Sequence, residues 1–148
     1  MNISRSALLP YSAQQMYNIV NDIRAYPQFL KWCKESQIIS ETSNDVVAKL
    51  LIKYSKLNFE FTTKNTNTQN QSIKLSLVDG PFNELHGEWR FDALNENACK
   101  VSLELQFDFK QKITKHIMAK VFSNLVSTQI EAFKDRANDL YGTNQCIK

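Results

Sequence analysis

Few residues in this chain have the types and spacing that chemistry needs. The histidines His86 and His116 stand apart, with no cysteine or carboxylate at metal-ligand spacing from either. Cys33, Cys99 and Cys146 are three widely separated thiols, a pattern that reads as free thiols in a reducing compartment. Cys33 directly follows Trp32 and reads as a packed thiol, not a nucleophile. A dehydrase would need a positioned acid–base pair. Asp22 and Glu88 could be recruited for one, but nothing in their spacing singles them out. The nucleophile elbow, the zinc-protease helix and the phosphate-cradling glycine loop are all missing from the sequence. The sequence therefore predicts no catalytic residue, no metal and no required cofactor, and binding is the class of function that remains.

Two sets of residues could bind. The first is aromatic: Tyr26, Phe29, Trp32, Phe59, Phe61, Phe82, Trp89, Phe91, Phe107 and Phe122. Leu77, Leu85, Leu125 and Val126 share their faces, so the set is either plain core or the lining of an apolar slot. Gln129 and Arg136 fall inside the apolar sector of the last helical run, where a buried polar group needs partners. Arg136 either reaches water from the helix end or pairs with a carboxylate such as Asp22. The second set is basic. Lys110, Lys112, Lys115 and Lys120 run without an intervening acid, and Arg24, Lys31 and Lys34 lie in an early turn. They form either a solvated face or a contact for RNA phosphates or anionic lipid headgroups, and such contacts depend strongly on salt.

Position for these sets comes from a run of strands closed by a helix. From Ile113 to Tyr141 the apolar residues Met118, Phe122, Leu125, Val126, Phe133, Ala137 and Leu140 fall in one sector at helical spacing. No Pro or Gly interrupts the run, and Gly142 stands where a C-cap would be. The sequence thus predicts one unbroken helix. Upstream, 2–9 reads as a strand, and Ser12 with Gln15 forms a capping box opening a helix that Asp22 ends. Pro27 is expected to push Tyr26 out of helical geometry, making the next segment a turn or a short second helix.

From Glu35 to Lys110 the pattern alternates in about six strands. Turns are expected at 65–71, Asp79-Gly80-Pro81 and Asn95-Glu96-Asn97. Gly87, among large inward residues, marks either room for a ligand or a bend in the sheet. The order predicts an α+β domain, an antiparallel meander covered on one face by the final helix.

The bulk numbers agree with one domain over 1–148. A chain of 148 residues with 43% hydrophobic content can bury a real core. Its net charge of +3 permits an acidic partner without pointing to DNA. No segment has the apolar length of a membrane span or a signal peptide, so the expected location is the cytoplasm.

Three blocks of residues carry a family resemblance. They are Tyr26-Pro27-Gln28-Phe29-Leu30-Lys31-Trp32-Cys33, then Asp79-Gly80-Pro81-Phe82 with Leu85, Gly87, Trp89 and Phe91, then Ala132-Phe133, Arg136-Ala137 and Leu140-Tyr141-Gly142. Tyr17, Val20, Asp22 and Ile23 fit as well. Together they resemble the coenzyme-Q-binding branch of the START-like (polyketide cyclase/dehydrase) superfamily, close to its bacterial ribosome-association toxins. Lys31 departs from the pattern, which has proline before the tryptophan. The resemblance implies a helix-grip fold, a curved sheet of six to seven strands around a long C-terminal helix, with two short helices after the first strand. It implies an apolar cavity, binding of ubiquinone or another isoprenoid lipid in support of respiration, with Gln129 bonding a quinone carbonyl, and transient contact at the inner face of the membrane. The alternative it implies is association with the large ribosomal subunit, blocking subunit joining. Cyclase or dehydrase activity follows from fold analogy alone.

Overall fold

The computed structural model describes residues 1–55, 57–110 and 115–142. β1 (Asn2–Leu9) leads to α1 (Ala13–Asn21), a single 3-10 turn (Ile23–Ala25) and the short α2 (Tyr26–Phe29). Then follow β2 (Cys33–Glu41), β3 (Asp45–Tyr54), β4 (Leu57–Thr68), β5 (Ser72–Asp79), β6 (Phe82–Asn95) and β7 (Ala98–Phe109). The chain ends in α3 (Lys115–Ser127), α4 (Gln129–Ala137) and one wide turn (Asn138–Gly142). The seven strands form one antiparallel sheet in the order β1-β7-β6-β5-β4-β3-β2. Each hairpin-connected strand lies beside its predecessor, while β1 joins the far edge by pairing with β7. This is the helix-grip architecture.

Local chemistry explains most element ends. Ser12 accepts from Gln15 N (3.1 Å), and the Gln15 side chain accepts from Ser12 N (2.9 Å), closing the capping box. Asp22 caps the end of α1. Gly80, at φ +149°, takes the chain round between β5 and β6. At Gly87 the strands come close: a Cβ there would stand 2.3 Å from the Glu104 carbonyl oxygen and 2.8 Å from Leu105 Cδ1. Only a residue without a side chain lets β7 approach so closely, so the missing side chain opens no room for a ligand.

Two local expectations are corrected. Tyr26 is helical (φ −50°, ψ −45°) despite Pro27, because Pro27 sits in the first turn of α2, where its missing N–H costs no intrahelical bond. The buried Tyr26 hydroxyl also donates to the Val20 carbonyl and ties that turn to α1. Asn65 to Thr68 are strand, and the polar turn shrinks to 69–71, because Asn65 points inward and is buried.

The final helix is not continuous. Thr128 breaks it: its N–H and hydroxyl both reach the Leu125 carbonyl (3.2 and 2.8 Å), and Gln129 Nε2 reaches the same oxygen at 3.4 Å. Ser127 also bonds back to the Ser123 carbonyl (2.8 Å). Hydroxyl groups thus compete with the backbone ladder where no proline or glycine exists. Beyond the break Ile130 is buried and Leu140 is 47% exposed, so Leu140 leaves the apolar stripe. Gly142 lies in the wide turn, not at a regular C-cap. Ile113 lies outside the described residues.

Candidate functional site

The inner face of the sheet meets α3 and α4 in two unlike regions. At the end where β7 meets α3, rings fill the space. Phe82 stacks on Phe109 at 4.5 Å, Phe107 meets Phe122 edge-on at 4.8 Å, and Phe59 touches Phe82, Phe109 and Phe122. Further along, a cavity of about 110 Å³ remains. Its walls come from every layer: Tyr26 and Trp32 before β2, Ala48 and Ile52 on β3, Phe61, Thr63 and Asn65 on β4, Trp89 on β6, and Phe122, Leu125, Val126, Gln129 and Phe133 on the helices.

Of the residues singled out for ligand contact, Tyr26, Trp32, Phe61, Leu85, Trp89, Phe122, Leu125, Val126 and Gln129 line this cavity. Phe59, Phe82 and Phe107 do not reach it and pack in the aromatic end. Phe91 lies against Tyr17 and Trp89, Phe29 against Tyr26 and Phe133, and Leu77 is half-buried beside the core. Alternation gives the face a side chain points to, but not how far along the helix it sits, so lining and filling residues look alike in the sequence. Thr63 and Asn65 join the lining as a pair that residue type alone does not mark. Asn65 looked like turn, yet the signal was there: two polar residues at strand spacing beyond Phe61.

The cavity is apolar apart from five groups. Thr63 Oγ1 donates to Asn65 Oδ1 at 2.8 Å, and both residues are buried. Gln129 is 6% exposed, and its one recorded bond, to Leu125 O, is long at 3.4 Å. Trp32 Nε1 is buried without a partner among the described residues. An indole N–H in that state is a donor waiting for an acceptor. Burial raises the Tyr26 phenol well above its ordinary range, and its proton is held on Val20 O. The lining holds no carboxylate, imidazole, ammonium or thiol among the described residues.

The other candidates lie elsewhere. Arg136 does not pair with Asp22: Nη2 donates to Gln28 Oε1 (3.4 Å) and the guanidinium lies 4.9 Å from the centre of the Phe29 ring. Glu88 faces Arg90 on the outside of the sheet (3.8 Å), and His86 faces Glu84 there (3.8 Å). Cys33 and Cys99 are free and buried, and burial pushes both thiols up to about 11. Among the described residues no group of His, Cys, Asp or Glu could hold a metal ion. Arg24 pairs with Glu41 (3.6 Å), while Lys31, Lys34, Lys110 and Lys120 are exposed. Lys112 lies outside the described residues; Lys115 begins α3. No helix is long and apolar enough to cross a membrane.

Known proteins share this arrangement. The chain is 43% identical over 141 residues to the ribosome association toxin RatA of Pseudomonas aeruginosa, covering 95% of this chain and 98% of that one. It is 26% identical to the mitochondrial coenzyme Q-binding protein COQ10 homolog B of Xenopus laevis, covering 96% of this chain and 60% of that protein. A START superfamily protein of Mycobacterium smegmatis superposes with a TM-score of 0.81 at 19% identity, over 94% of this chain and 98% of that one. The family model described as polyketide cyclase/dehydrase and lipid transport matches residues 9–134. Sheet order, the helical grip and this match over most of the chain agree: the chain belongs to the polyketide cyclase/dehydrase and lipid-transport family of START-like proteins.

Proposed function

We propose that this protein associates with the bacterial ribosome, binding the large subunit in the cytoplasm and blocking subunit joining. The observation that carries the reading is the 43% identity to a ribosome association toxin across nearly both full chains. The size of the cavity supports it. Small-molecule sites enclose roughly 300–1,000 Å³. A cavity of 110 Å³ is nearer the ~150 Å³ apolar void that takes a benzene. A quinone ring with an isoprenoid tail does not fit without the helices moving off the sheet. Raising the protein's abundance in a bacterial host is expected to shift ribosome profiles from joined ribosomes to free subunits. An unchanged profile at high abundance removes the reading.

One observation favours a second reading, binding of ubiquinone or a related isoprenoid lipid, with brief contact at the inner membrane face. The cavity is apolar, and the unpartnered Trp32 N–H and Gln129 offer hydrogen bonds of the kind a quinone carbonyl accepts. Native mass spectrometry of gently purified protein, followed by quinone titration, tests it. A one-to-one adduct supports it, and no uptake at micromolar quinone counts against it. Neither reading asks for catalysis, and among the described residues the cavity wall offers no acid–base pair for a cyclase or dehydrase.

A further inference from the structure

Three stretches of the sequence, 23–34, 46–59 and 109–130, carry ten of the 18 lysines and arginines and none of the 15 acids. The fold brings them to one place. The Trp32 carbonyl accepts from Lys53 N (2.9 Å), joining the first stretch to the β3–β4 arm. Phe59 on that arm packs on Phe122 of α3, with ring centres 6.3 Å apart. Trp32, Leu50, Ile52, Phe122 and Leu125 then share the wall of one cavity. The three basic stretches therefore meet at one end of the sheet, where β2 begins, β3 turns into β4 and β7 ends, and they form a basic rim there.

Among the described residues two of these charges are already taken. Arg24 pairs with Glu41 (3.6 Å) and Lys49 with Glu60 (3.9 Å). Lys31, Lys34, Lys53, Lys110 and Lys120 are exposed and join no ion pair among the described residues. The outer face of the sheet differs. There Arg90 lies between Glu88 and Asp92 (3.8 and 3.7 Å), and Lys64 meets Asp45 (3.8 Å). Several of its charges compensate one another, although Lys74 and Lys100 there are exposed and join no ion pair among the described residues; the rim differs in that its three stretches carry no acid.

We propose that this rim, built from Lys31, Lys34, Lys53, Lys110 and Lys120, is the surface that grips the phosphate backbone of ribosomal RNA. The proposal rests on the ribosome reading and assigns it to a place on the molecule. Lysine on a flexible stem suits phosphates as a point charge, and rows of unpaired lysines release counterions when they meet RNA. Among the described residues the exposed apolar side chains near the rim, Tyr54 and Ile117 (38% and 54% exposed), are too few for a membrane-inserting face. An exposed tyrosine among lysines also suits stacking on an unpaired base.

The test measures binding of the purified full chain to isolated large ribosomal subunits across a salt series. Five phosphate contacts predict a log–log salt slope of about −4. The variant K31Q/K53Q/K120Q is expected to lower affinity about 10²-fold or more at low salt and to flatten the slope by about 2 to 3. The arginine version K31R/K53R/K120R keeps both, and K74Q/K100Q on the outer face changes affinity less than about threefold. All variants are checked to melt within about 2 °C of the parent. If the parent binds and the triple glutamine variant binds equally with an unchanged slope, the rim is not the contact, although the ribosome reading stands. If the parent itself does not bind, the ribosome reading falls and the rim's assignment falls with it. If phosphatidylglycerol vesicles displace the protein from subunits while naked ribosomal RNA at equal phosphate does not, the surface is a membrane contact and the assignment to RNA is overturned.

Discussion

The aromatic end and the cavity lie on the same helix–sheet interface, a few residues apart, and were built differently. At the aromatic end each ring meets several others at 4.5 to 6.3 Å, and Phe82, Phe107 and Phe109 are at most 1% exposed. At the cavity the same two layers present leucines, a small Ala48, and five polar groups around about 110 Å³ of unfilled space. One region is held by packing, and the other gives up packing contacts to keep a mostly apolar gap with a few polar groups. The contrast separates what holds the grip closed from what could respond to a ligand, although both are made from one alternating pattern.

The largest test of this contrast is truncation. Phe82→Ala or Phe107→Ala should cost about 3–5 kcal/mol in urea unfolding, because close-packed rings leave a void that cannot collapse. Leu125→Ala, at the cavity wall, should cost nearer 2 kcal/mol, since one side of that leucine already lacks partners. Equal costs would mean the cavity is as well packed as the rings. Gly87→Ala should destabilise by about 1–3 kcal/mol, read as a fall in melting temperature, because its Cβ meets backbone that cannot yield cheaply.

Added methyl groups sharpen the comparison by sign. Val101→Ile, in a fully buried position away from the cavity, should cost about 1–3 kcal/mol from overpacking. Ala48→Val, pointing into the gap, should be neutral or stabilising by up to about 1 kcal/mol and should reduce any quinone uptake.

The thiols give the smallest effect. Cys33 and Cys99 keep their protons to about pH 11, whereas the unfolded chain releases them near 9. The stability from their buried neutral form is therefore complete below pH 9 and is lost as pH rises from 9 to 11. The loss is about 1 kcal/mol per thiol between pH 9 and 10. Unfolding of the C33S and C99S variants across that window should show each slope reduced.

Much of this was legible in residue order. Alternation placed the strands, the Ser12–Gln15 box placed α1, and the three sequence blocks pointed to the helix grip before any geometry was known. The break at Thr128 was not legible from proline and glycine alone, because it comes from three consecutive polar side chains, Ser127, Thr128 and Gln129, bonding back to the carbonyls of the preceding turn. Asn65 was lost for a related reason. Its type signals a turn, and the neighbouring Thr63 hydroxyl, donating to its Oδ1, helps offset its burial. The cavity itself depends on depth along the helix, which a two-residue repeat does not encode. The basic rim depends on contacts between stretches far apart in sequence, Trp32 with Lys53 and Phe59 with Phe122.

The central claim is ribosome association, and the most direct measurement is cosedimentation of purified protein with isolated large and small ribosomal subunits at low salt. The account predicts stoichiometric recovery with the large subunit, none with the small, and loss of the complex as salt rises. Protein that stays at the top of the gradient with both subunits, at concentrations where it still takes up quinone one to one, would contradict it.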